Sequence, residues 1–290
     1  MEVLIIGGSR YFGRRLVQLL HTAGDQVTVL NRGSHTPPAG IGHLVADRDD
    51  EAAMRAALAG REFDVVLDQV CYTPRQAEIS RRVVSGRVGR YVMTSTVEVY
   101  FPLQGAEPAL VETLAEPSAR PVEPDATAGD YGEGKRQAEA VFSRDPDFDY
   151  VPVRLAHVLG GGPADFTGRL AHYVSRIRGA EPVAVHRQPT PASFIRDVEA
   201  AEVLAWAAGA TVTGPLNAAS DGAYDVLTLC EAIGARVGRE PRFHTVADDE
   251  TASPFSFPAS RPMDTTRAVR HGFTFSAVRQ WLPDVIDEVS

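Results

Sequence analysis

Apolar positions along the chain follow two alternating rhythms. Short runs rich in β-branched residues lie at Val3 to Ile6, Gln26 to Leu30, His43 to Ala46, Asp64 to Val70, Tyr91 to Thr96 and Tyr150 to Val153. Between them, apolar residues recur at helical spacing. Phe12, Leu16, Leu19 and Leu20 do so ahead of Gly24, and similar stripes cover Glu51 to Leu58, Pro74 to Val84 and Tyr131 to Phe142. Strands alternating with amphipathic helices predict an α/β fold with a doubly wound parallel sheet.

The rhythm breaks twice. From Phe101 to Asp130, prolines at 102, 108, 117, 121 and 124 and many acids predict a long surface loop. Beyond Gly160-Gly161-Gly162-Pro163 the alternation loosens into a helix over Phe166 to Arg178, a strand at Val183 to Val185, and helices over Asp197 to Ala207 and Val226 to Val237. A Pro-rich tract follows from Ser253 to Pro262. We expect a nucleotide-binding domain over 1–160, joined by segments returning near 194–220, and a small, discontinuous C-terminal substrate lobe over 161–290.

Composition narrows the function. A chain of 290 residues, 44% hydrophobic, can bury a full core. Its net charge of -9 offers no basic footprint for nucleic acid or an anionic membrane, so the expected partner is a small molecule. Cys71 and Cys230 are too few for a disulfide framework or a cysteine zinc site, and no metal site is expected. No run approaches the roughly 20 apolar residues that span a bilayer, and the first residues lack the basic start of a signal peptide. A cytoplasmic location is expected.

Gly7-Gly8-Ser9-Arg10-Tyr11-Phe12-Gly13 stands between a strand and a helix. There a dinucleotide's pyrophosphate needs closely approaching backbone and free helix N-terminal amides, as in a Rossmann-type sheet. Gly7 and Gly13 begin and end a GxxGxxG pattern whose middle glycine is replaced by Arg10. Strand two ends at Asn31-Arg32-Gly33, roughly 20 residues on, where an Asp would accept hydrogen bonds from the adenosine ribose. With Arg10 and Arg32 able to hold a 2'-phosphate, NADP is favoured over NAD. Solvated surface charges are the plainer alternative. Asp47 and Arg48 stand where they would bracket the adenine edge, although Asp47 would equally serve as a helix cap.

Tyr131 and Lys135, at i and i+4, share one helix face. A cation beside a phenol lowers its pKa from about 10, so that it can exchange protons with a carbonyl or alcohol oxygen. Alone, such a pair is equally an exposed tyrosine with a solvated lysine. Thr94-Ser95-Thr96 ends a parallel strand, however, where ligands of such sheets bind, and a hydroxyl there can orient the reacting oxygen.

These residues, with Thr96-Val97-Glu98-Val99-Tyr100, Pro152-Val153-Arg154, Gly160 to Pro163, Phe194 to Val198, Leu216-Asn217-Ala218 and Asp264 to Phe273, resemble the extended and atypical short-chain dehydrogenase/reductase superfamily of epimerases, dehydratases and reductases. The resemblance implies Thr96, Tyr131 and Lys135 as catalytic residues. It also implies Val70, Cys71, Leu155 and His157 beside the cofactor, with Ser9, Tyr11, Phe12 and Thr94 around the same cleft. Where family dehydratases show Thr-Asp-Glu, Val97 replaces the acid. Glu98 remains, on the side of Thr96 if the strand continues. The Arg10 and Asn31-Arg32-Gly33 variants look like the atypical branch, which includes chloroplast RNA-associated relatives lacking the active residues kept here. Tyr100, His157, Phe166, Phe194 and Arg261 are further candidates to line a substrate pocket. The resemblance also implies a homodimer packed through the Pro74 to Val84 and Tyr131 to Phe142 helices.

The expected activity is hydride transfer between NADP(H) and the carbonyl or alcohol of a small substrate. The alternatives are a nucleotide-sugar epimerase that oxidises transiently with bound cofactor, and a non-catalytic dinucleotide-sensing or RNA-binding protein.

Overall fold

The computed structural model describes residues 1–101, 109–119, 121–123, 130–144, 147–247 and 250–290. Its first half runs β1 (Glu2–Ile6), α1 (Tyr11–Thr22), β2 (Gln26–Asn31), β3 (Gly42–Val45), α2 (Glu51–Ala57), β4 (Phe63–Asp68), α3 (Pro74–Val84), β5 (Val88–Thr96), α4 (Tyr131–Phe142) and β6 (Asp149–Leu155). The second half continues with β7 (His157–Leu159), α5 (Arg169–Arg178), β8 (Val183–Val185), β9 (Ala192–Arg196), α6 (Asp197–Gly209), β10 (Leu216–Ala218), β11 (Ala223–Tyr224), α7 (Val226–Val237), β12 (Phe243–Thr245), α8 (Thr266–Arg270) and α9 (Val278–Asp287).

A seven-stranded sheet in the order β10-β6-β5-β4-β1-β2-β3, parallel at every pairing, forms the centre. Its middle strands are apolar on both faces because helices cover both. Val3, Ile5, Val65 and Leu67 face one layer, which includes α1 and α6, while Leu4, Ile6, Val66 and Tyr91 face the other with α3 and α4. The strand order reverses between β1 and β4, so the segments after these two strands flank the crevice where ligands of such sheets bind.

The C-terminal lobe is built from a β11-β9-β7 sheet and a β12-β8 pair. Its core gathers Tyr173, Phe194, Phe255, Trp281 and Leu282. Gly168, at φ +60, delays the start of α5 to Arg169, three residues past the predicted start at Phe166. The expected continuation of β5 also differs: Val97–Tyr100 is a 3-10 turn, so strand parity no longer decides where Glu98 points.

Part of the predicted 101–130 loop straps α4. Arg136 donates to the carbonyls of Pro117 (3.2 Å) and Pro121 (2.9 Å), and Gln137 accepts from the Glu123 amide at 2.8 Å. All of α4 from Gly134 to Phe142 is buried within the chain. Residues 102–108, 120 and 124–129 of the loop lie outside the described set. Among the described residues, no helix is long and apolar enough to cross a membrane, and no group of His, Cys, Asp or Glu is arranged to hold a metal.

Candidate active site

One cavity of about 950 Å³ extends from the turn after β1 to the start of α5. At its phosphate end Gly7 has φ +95, and a Cβ there would lie 2.9 Å from a Val70 methyl. A Cβ on Gly13 would come within 3.1 Å of the Gly8 Cα, so Gly13 serves close packing of α1 rather than lining the cavity. Arg10 replaces a family glycine without strain because its φ is -139. It precedes a helix with no side-chain cap and no acid in the first turn, which leaves amides free for an anion. Tyr11 has φ +50, an uncommon conformation for a residue with a side chain. Its ring packs against Phe12 and fills the space where a Gly161 Cβ would sit, 2.8 Å away.

At the ribose end, Asn31 has no hydrogen-bonding capacity to spare. Its Nδ2 donates to Ser9 Oγ (3.0 Å) and the His35 carbonyl (2.9 Å), while Oδ1 accepts from the Gly33 amide (2.7 Å) and faces His43 Nε2 (3.1 Å). Asn31 therefore shapes this corner of the cavity, whose wall it helps to form. Arg10 and Arg32 are both exposed and line the cavity, and neither forms an ion pair among the described residues. Asp47, also exposed, lies on the cavity wall and accepts from the Asp49 amide at 3.0 Å.

Arg48 has a structural task as well. Its guanidinium is buried on Asp68, at 2.7 and 3.0 Å, and also donates to Ser80 Oγ and the Gln76 carbonyl. Tyr91 donates its hydroxyl to the same carboxylate at 2.5 Å. This buried cluster ties the segment after β3 to β4, β5 and α3, and Arg48 also forms part of the cavity wall.

The reactive end lies where β5 stops. Asp130 caps α4 by accepting from the amides of Gly132 (2.9 Å) and Glu133 (3.2 Å). Two close approaches then seat the helix. A Cβ on Gly132 would fall 2.6 Å from the Glu98 carbonyl oxygen, and one on Gly134 would fall 2.4 Å from that of Tyr72. Tyr131, Lys135, Thr94 and Thr96 consequently share the cavity wall with Glu98 and Leu155.

Lys135 is 1% exposed. Its Nζ donates to the Thr94 carbonyl at 2.6 Å and lies 4.6 Å over the Tyr72 ring, against 5.9 Å over that of Tyr131. Burial pulls its pKa down to about 8. Tyr131, by contrast, is 49% exposed. Desolvation, then Tyr72, pushes its phenol up to about 12, with hydrogen bonding to Thr96 acting in the opposite direction. Glu98 is pushed up to about 7 by burial, with Arg169 opposing and Asp130 adding. His157 is pulled down to about 3 by burial and by Arg169, and its ring stacks on Phe257 at 4.9 Å.

Several expected lining residues lie elsewhere. Cys71 is fully buried in the core between β4 and α3, because the chain turns Val70 and Tyr72 to the cavity on either side of it. Tyr100 is buried, donating to Asn217 Oδ1 (2.7 Å) and accepting from Arg154 (2.8 Å). Phe194 is in the lobe core, and Arg261 is not on the cavity wall. Phe166 does line the cavity, as expected, and is 69% exposed. Gln69, Tyr72, Gln76, Thr167 and Arg169 also line it. No spacing singled these out; only the fact that Gln69 and Tyr72 follow a sheet strand's carboxyl end pointed towards two of them.

A model of the NAD dependent epimerase/dehydratase family matches residues 3–212. The chain belongs to this family. Among curated members, dTDP-4-dehydrorhamnose reductase of Streptomyces griseus is 27% identical over 300 residues, covering 96% of this chain and 90% of that protein. Chloroplast stem-loop binding protein of 41 kDa b of Arabidopsis thaliana is 24% identical over 202 residues, 63% of this chain. The chain spans only about half the length of that relative, 48%. Solved epimerase/dehydratase folds agree over the whole chain. The UDP-glucose 4-epimerase of Thermus thermophilus, complexed with NAD, superposes with a TM-score of 0.73 at 19% identity, covering 100% of this chain and 99% of that one. Bacillus anthracis dTDP-glucose 4,6-dehydratase, also with NAD, gives 0.76 at 12% identity, with 99% and 96% covered. At these identities the agreement shows the Rossmann-type fold.

Proposed function

We propose that the chain is an NADP-dependent oxidoreductase that reduces a carbonyl of a small substrate, or oxidises the matching alcohol. The carrying observation is one continuous cavity joining the glycine turn to Thr96, Tyr131 and Lys135. The residues fit a nicotinamide dinucleotide: Gly7 leaves room for a close backbone approach, the uncapped start of α1 suits a pyrophosphate, and Arg10 and Arg32 suit a 2'-phosphate.

When bound, the nicotinamide supplies or accepts the hydride. Tyr131, protonated throughout the neutral range, donates its proton to the carbonyl oxygen, while Thr96 orients that oxygen by hydrogen bonding. Lys135 presents a buried donor at the same wall, suited to ribose hydroxyls.

Substituting Tyr131→Phe should cut NADPH consumption with carbonyl substrates by about 10²-fold or more, leaving dinucleotide affinity intact. Unchanged turnover would refute the mechanism. An epimerase would instead convert substrate with no net change in dinucleotide absorbance. NADPH should bind ahead of NADH, and Arg32→Ala should remove most of that gap; equal affinity of the parent chain for both would refute the assignment of Arg10 and Arg32.

A further inference from the structure

Among the described residues, the cavity meets the lobe only along the stretch from His157 to Arg169. Phe166, Thr167 and Arg169 line it, and no described residue after Arg169 does. Behind the reactive end, His157 stacks on Phe257, with Phe255 at 5.8 Å and Phe194 at 6.0 Å closing the wall. Packed aromatic rings thus border the reactive end on the side of the lobe.

Two groups on this wall are incompletely matched within the chain. Arg169 is half-buried, with its guanidinium 5.2 Å over the Phe255 ring and its Nε donating to Thr167 Oγ1 at 3.3 Å, and it forms no ion pair with a described carboxylate. It opens α5, whose first turn has no side-chain cap. Second, His157 is 5% exposed and lines the cavity, and its Nε2 is buried with no hydrogen-bond partner among the described residues. A buried polar atom without a partner costs about 1–3 kcal/mol, which a ligand would recover. A guanidinium fork beside an uncapped helix start suits a carboxylate or phosphate.

Resting on the oxidoreductase reading, we propose that the substrate is a compact carbonyl compound bearing one carboxylate or phosphate, held by Arg169 and His157, and not a nucleotide sugar. The neutral imidazole contributes a hydrogen bond and no charge, so Arg169 supplies the positive charge.

Calorimetry on the full chain saturated with NADP, titrated with pyruvate, glycerol 3-phosphate and UDP, tests this. Pyruvate or glycerol 3-phosphate should bind, and whichever binds identifies the anion. Arg169→Gln should weaken that probe at least tenfold, Arg169→Lys should restore part of the loss, and NADP affinity should stay within twofold in both variants. Binding of UDP, absence of binding by both small anions, or an unchanged probe affinity in Arg169→Gln would each overturn the proposal. Because these measurements read binding and not turnover, failure here is distinct from failure of the Tyr131 mechanism.

Discussion

Replacing Gly134 by Ala tests how α4 sets the reactive geometry. By helix propensity alone the change should stabilise α4 by about 1 kcal/mol. The new methyl, however, would lie 2.4 Å from the Tyr72 carbonyl oxygen. Carbon–oxygen contacts close to about 3.3 Å, so helix and loop must separate by roughly 0.9 Å. Overpacking of this kind costs about 1–3 kcal/mol and should outweigh the propensity gain. Gly134 adjoins Lys135 and lies three residues past Tyr131, so the same shift misplaces both, and a displacement near 1 Å costs about 10²-fold in rate. Thermal unfolding together with NADPH binding and turnover provides the assay. Gly209→Ala in α6 is the control, since a Cβ there meets nothing within 4 Å and should gain up to about 1 kcal/mol. A Gly134→Ala chain as stable and as active as the parent would refute the pinning of α4 against Tyr72.

Two further outcomes follow from buried charge. Arg48→Met leaves Asp68 buried with only Tyr91 and the Val70 amide as donors, so urea unfolding should show a loss of about 3–5 kcal/mol, partly recovered by adding Asp68→Leu; a loss below 1 kcal/mol would be incompatible with the cluster. His157 titrates near 3 when folded against 6.5 in a free chain, so the unfolded state takes up the proton first. Its contribution is complete above pH 6.5 and declines towards pH 3; at pH 5 about 2 kcal/mol should be missing, and His157→Phe should abolish that part of the pH dependence in urea midpoints.

The central sheet was legible because its strands are buried on both faces and its helices are amphipathic, so period alone separates them. α3, α4 and α7 match their predicted limits, each with a polar side-chain cap at its start. The same logic placed Thr96, Tyr131 and Lys135 on one wall. What failed depended on chain direction after an element ends. The turn at Val97–Tyr100 buries Tyr100, and the alternation after β4 turns Cys71 inward and Tyr72 outward. The buried ion pair of Arg48 left no trace in the spacing because its partner, Asp68, is distant in sequence. Arg169 carries no local signature at all, since what singles it out is its place on the cavity wall without an ion pair to a described carboxylate.

The position of β10 at the far edge of the main sheet bears on how the molecule is made. Residues 216–218 pair with β6, α6 packs on α1, and Arg90 of β5 donates to the carbonyls of Ala207 and Val212. A nascent chain that has emerged only through β6 therefore leaves the α6-covered part of one sheet face and an open strand edge exposed until some sixty more residues have been synthesised. Contacts this distant in sequence make closure slow. During that interval the unfinished sheet is the segment most in need of a chaperone.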